Sequence, residues 1–240
     1  MRLLILLLTI ISILWASPGI TKYQPWDEKV FIHVQETYGP RAEKRMRFLH
    51  NMIIENQDLG VDEKLKLVNT TMNKLPWIAD ARLWKQSDYW ASPLETITTF
   101  GGDCEDIAIV KWVVLNHMGI SAKHLRLAVV KIKRSSERHM VLLYLPDPDL
   151  SLEKQTPLVL DNYVKEIKPG NERRDLLSIY LMDAQGTLVL VADDGKKREI
   201  KGEYKGRKHK KLDDLKKKIA ESRSFYKELN NGRPLLPENI

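Results

Sequence analysis

The spacing of apolar residues changes period at Gly119, and that switch excludes any fold built from helices alone or strands alone. Upstream the period is helical. Glu28–Tyr38 reads as a helix stopped by Gly39-Pro40, and Arg41–Asn56 as a second with Met46, Leu49 and Ile53 on one face. A third starts at Asp62, keeps Leu65, Val68 and Met72 in register, and ends before Pro76. A Trp-rich stretch, Trp77–Phe100, reads as irregular and closes on Gly101-Gly102. Cys104–Met118 is the fourth helix. Downstream the pattern is that of strands: Leu125–Ile132 and His139–Leu145 joined by a polar turn, then Pro157–Asp161, Ser178–Met182 and Leu188–Ala192. Helices first and an antiparallel sheet second make an α+β domain.

Both ends of the chain stand apart from this body. Met1-Arg2 leads into the apolar stretch Leu3–Trp15, followed by Ala16-Ser17-Pro18. That is the pattern of a secretory signal, with cleavage after Ala16 or retention as an anchor, and it is short for a spanning helix. Either way the expected workplace is outside the cytoplasm. At the other end, residues 196–218 carry twelve Lys/Arg against four acids, +8 of the chain's net +7, so the rest sits at −1. The expected division is a signal at 1–16, a domain at 22–195 and a basic, helical extension at 196–240. No nucleic-acid partner is expected of a neutral body. The extension reads either as a contact to a membrane surface or as a solvated end.

With a single Cys among 240 residues, an internal disulfide framework or CxxC metal site is excluded. The thiol is then a buried filler or a nucleophile, and its setting favours the second. Cys104 stands where Gly101-Gly102-Asp103 feeds a helix, facing unpaired N–H groups and the positive end of the dipole. His139 opens the second strand of the hairpin, and Asp161 ends the next strand. Nucleophile, base and orienting carboxylate follow in chain order. Asp103, Glu105 and Asp106 crowd the thiol with negative charge. They read either as acids capping the first helical turn or as oxygen ligands for a hard cation such as calcium.

The runs Tyr89-Trp90-Ala91-Ser92-Pro93-Leu94-Glu95, Gly102-Asp103-Cys104-Glu105-Asp106-Ile107-Ala108, His139-Met140-Val141-Leu142 and Leu158-Val159-Leu160-Asp161-Asn162 resemble the bacterial transglutaminase-like cysteine proteinases of the LapG type. The likeness spans about Trp26 to Ala192. It implies a papain/transglutaminase-like core, a triad carried onto Cys104, His139 and Asp161, and a calcium site involving Asp103 and Glu105. It further implies a periplasmic endopeptidase that clips the N-terminal region of a large surface adhesin and so promotes biofilm dispersal. An inner-membrane cyclic di-GMP receptor would be its inhibitor. Two other readings stay open at this level: a transglutaminase or amidase acting on cell-envelope peptides, and a non-catalytic envelope-binding module.

Overall fold

Asp27 starts the first helix by accepting the Lys29 N–H at 3.0 Å, and α1 (Glu28–Tyr38) runs until Gly39, whose φ of +88° suits only a residue without a side chain. Pro40 then opens α2 (Pro40–Asn56), and α3 (Val61–Met72) follows. The computed structural model describes residues 23–133, 135, 137–193, 198–203 and 210–235. The apolar amino-terminal segment and its expected cleavage point lie outside them. Among the described residues, no helix is long and apolar enough to cross a membrane.

The Trp-rich stretch is more ordered than its composition suggests. It contains α4 (Asp80–Leu83) and α5 (Pro93–Thr99). In α5, Ser92 and Glu95 form a capping box around Pro93, so Ser-Pro-Leu-Glu was a helix start in plain view. The fourth expected helix is α6 (Cys104–His117), buried on every side through Ile107, Ile109, Val110, Trp112, Val114 and Leu115. A helix apolar all round belongs in the centre of a core.

Among the described residues the sheet has seven strands, all pairs antiparallel: β1 (Leu125–Ile132), β2 (Arg138–Tyr144), β3 (Leu158–Leu160), β4 (Lys168–Pro169), β5 (Leu176–Met182), β6 (Leu188–Asp193) and β7 (Arg198–Glu203). Their order is β4-β3-β2-β1-β5-β6-β7. Leu127, Val129, Met140 and Leu142 join the helices in the main core, while Ala128, Val130, Val141 and Leu143 form a smaller cluster on the other face. With both faces buried, these strands read in the sequence as runs rich in Leu, Val and Ile.

The segment read as a basic helical extension opens differently. Arg198–Glu203 is β7, paired to β6. The helix follows as α7 (Lys210–Leu229), and its Leu212, Leu215, Ile219 and Tyr226 are buried in the main core. The Asn230 side chain accepts the Asp27 N–H at 2.8 Å, tying this end to the start of α1.

Candidate active site

The turn before α6 is built by close backbone approach. Pro76–Ile78 runs beside it: the Gly102 N–H donates to the Pro76 carbonyl at 3.3 Å, and the Ile78 N–H donates to the Gly102 carbonyl at 2.9 Å. A Cβ on Gly101 would lie 2.7 Å from Ile78 Cδ1, and one on Gly102 would lie 2.6 Å from Asp106 Cβ. Glycine is therefore required at both positions. Asp103 caps α6 and Cys104 is its first residue.

Strand β2 delivers the histidine. Leu142 pairs with Leu160, so extending the register sets Asp161 across from Val141, on the same side of the strands as His139. The two meet: His139 Nε2 lies 2.7 Å from Asp161 Oδ1. Asp161 is 1% exposed and fully engaged. It also accepts from the Tyr163 N–H at 2.8 Å and from Arg173 Nη2 at 2.8 Å, while Asn73 donates to its backbone carbonyl at 2.8 Å. Burial alone would raise the Asp161 carboxyl, but the His139 contact, the Tyr163 N–H and Arg173 outweigh it. They hold it well below the usual carboxylate range. Nε2 is the ring nitrogen turned to the carboxylate, and His139 itself lines a cleft.

Cys104 and His139 line one open cleft of about 660 Å³, together with Trp90, Glu105, Met140 and Lys211. The Met140 backbone, one residue from His139, is close enough to the Cys104 sulfur to favour its ionised form slightly. The thiol itself donates to Glu105 Oε2 at 3.0 Å. Burial, then the neighbouring Glu105 carboxylate, push this thiol well above its ordinary range.

The acids form a cluster larger than its sequence signature. Asp80, Asp103 and Asp106 each place a carboxylate oxygen within 4.8 Å of the others, as do Asp80, Asp88 and Glu105. Asp80 Oδ1 and Asp103 Oδ1 are buried without a hydrogen-bond partner. Burial raises all three, the buried Asp80 and Asp106 and the half-buried Asp103, the last with help from Glu105, and Asp106 reaches about 8. An all-oxygen set with unpaired buried carboxylate atoms fits a hard cation. Capping is also real, since Asp106 Oδ2 accepts the Asp103 N–H at 3.3 Å.

Three residues of this neighbourhood carry no local signal. Arg173 sits in the charged run Glu172-Arg173-Arg174-Asp175, where nothing separates it from Arg174. Asp80 lies in the stretch read as irregular. Lys111 belongs to the apolar series of α6, yet it is a 1% exposed lysine whose ammonium feels Asp161 and which burial lowers to about 7.

Comparison with curated proteins gives no match. The family model described as bacterial transglutaminase-like cysteine proteinase matches residues 45–174. Among solved structures, calcium-bound Legionella pneumophila LapG superposes with a TM-score of 0.63 at 29% identity, covering 79% of this chain and 98% of that one. The EGTA-treated form of the same protein gives 0.64 at 30% identity, covering 81% and 99%. The architecture described above is thus a transglutaminase-like fold shared with that protein. The glycine turn feeding Cys104 into α6 and the His139-bearing strand both fall inside the matched segment, and the chain belongs to the bacterial transglutaminase-like cysteine proteinase family.

Proposed function

We propose that this protein is a periplasmic, calcium-dependent cysteine endopeptidase that cuts the N-terminal region of a large surface adhesin, releasing it and promoting biofilm dispersal. The observation that carries this reading is the His139–Asp161 pair opening on the cleft that holds Cys104. Cys104 attacks the scissile carbonyl and His139 takes its proton through Nδ1. Asp161, held by Arg173 and the Tyr163 N–H, fixes the tautomer and stabilises the imidazolium. The Cys104 N–H, in the first turn of α6 and so without an intrahelical acceptor, receives the developing oxyanion. His139 then returns the proton to the leaving amine, and water releases the acyl group.

Asp103, Glu105, Asp80 and Asp106 are the residues that would hold calcium. Bound there, the ion supplies the positive charge that lets these acids stay ionised beside the nucleophile turn. In this reading Glu105 serves the cation rather than the thiol, which frees Cys104 to face His139. The secretory pattern of residues 1–16 supports a periplasmic setting. The family likeness supports restraint by an inner-membrane receptor that responds to cyclic di-GMP.

The test is incubation of the purified protein with N-terminal fragments of the organism's large adhesins, with calcium or with excess EGTA, followed by product masses. One internal cut with calcium and none with EGTA is expected. Intact fragments in both arms, or equal cutting in EGTA, would reject the substrate or the calcium requirement respectively.

A further inference from the structure

Helix α7 lies outside the segment matched by the family model, yet it reaches the cleft. Lys211 lines the cleft and pairs with Asp88. About two turns further on, Lys218 donates to the carbonyl of Trp90, sits 3.8 Å from the centre of the Tyr89 ring, and lies 3.4 Å from Glu95 Oε2. The Trp90 carbonyl and the Ala91 N–H belong to one peptide plane. That N–H donates to Asp106 Oδ1 at 2.7 Å. The plane is therefore gripped from both sides, its carbonyl by an ammonium from α7 and its N–H by a carboxylate from α6. Trp90, 6% exposed and lining the cleft beside Cys104 and His139, hangs from it. The surrounding bonds tighten the grip: Tyr89 donates to Glu95 Oε1 at 2.6 Å, and Glu95 accepts the Ser92 N–H at 2.7 Å.

We propose that Lys218 is a positioning residue of the substrate cleft, its ammonium orienting the Trp90–Ala91 peptide plane and so setting the Trp90 wall. This rests on the cleft being the place of peptide cleavage. The carboxy-terminal helix then acts as part of the binding apparatus. A substrate chain leaning on the Trp90 wall loses affinity when the plane is free to turn, whereas a small reagent reaching Cys104 does not feel it.

The experiment compares wild type, Lys218→Met and Lys218→Arg in the calcium-loaded full chain. Three quantities are measured: KM and kcat on the adhesin fragment, the rate at which iodoacetamide alkylates Cys104, and amide exchange in the 89–92 segment. For Lys218→Met, KM rises about tenfold while kcat and the alkylation rate stay within about twofold. Exchange in the 89–92 segment speeds up because the Ala91 N–H has lost its brace. Lys218→Arg, which keeps a cation over Tyr89, recovers most of the affinity. Unchanged KM and exchange in Lys218→Met would overturn the proposal, as would a joint fall of affinity, turnover and alkylation accompanied by lost helical signal. If wild type cuts no fragment, the proteolytic reading fails, and exchange at 89–92 still judges the role of Lys218.

Discussion

Arg173, 3% exposed, donates through Nε to Asp175 Oδ1 at 2.9 Å and through Nη2 to Asp161 Oδ2 at 2.8 Å, so one buried guanidinium fixes the carboxylate that orients His139. Its removal leaves Asp161 buried with a lost charged partner. Breaking such a pair costs about 3–5 kcal/mol, so Arg173→Met is expected to lower urea stability on that scale and to reduce turnover. A proton-linked signature goes with it. Asp161 has a folded pKa held below its ordinary 3.8, so its contribution is present above that value and is lost as pH falls through it. Arg173→Met raises the folded pKa, and the loss of stability between pH 4 and pH 2 becomes shallower in thermal melts. At this scale the meeting of His139 with Asp161, on the cleft that Cys104 also lines, was legible because residue type and element position can both be read from the sequence. Arg173 and Asp80 were not, because a buried arginine and a solvent-facing one are spelled alike, and burial is decided by distant chain.

At the scale of elements, the start of α6 and the turn carrying α4 gather Asp80, Asp103 and Asp106 into one buried cluster. Burial favours their neutral forms, so the folded state binds protons that the unfolded chain has released. That contribution is complete below about pH 4 and is lost as pH rises towards the folded value of about 8 at Asp106. The melting temperature in EGTA is therefore expected to fall between pH 5 and pH 8, and calcium is expected to flatten that slope. A slope unchanged by calcium would leave capping as the whole role of the cluster. The spacing of the apolar residues made α1, α2, α3, α6 and the long strands readable in the sequence. It could not reveal β4, only two residues long, or β7, whose Arg198–Glu203 alternates charge without an apolar face of its own. In α5 the cue was local, the Ser92/Glu95 box, and the surrounding aromatic residues hid it.

The whole molecule closes on itself through its carboxy-terminal part. Local charge made residues 196–218 look separate, but the buried stripe Leu212, Leu215, Ile219 and Tyr226 repeats at helical spacing beneath that charge and completes the core. Two of the cations have internal partners, Lys211 with Asp88 and Lys218 with Trp90 and Glu95, so part of the basic character is used inside the fold. Helix, sheet and tail thereby converge on one cleft. The central claim is that this convergence turns a solitary thiol into a nucleophile. Its most direct test is the initial rate of adhesin-fragment cleavage in calcium by wild type and by Cys104→Ala, with the melting temperature of each. A loss on the order of 10⁴-fold or more at an unchanged melting temperature is expected. Cleavage by Cys104→Ala within tenfold of wild type would contradict the account.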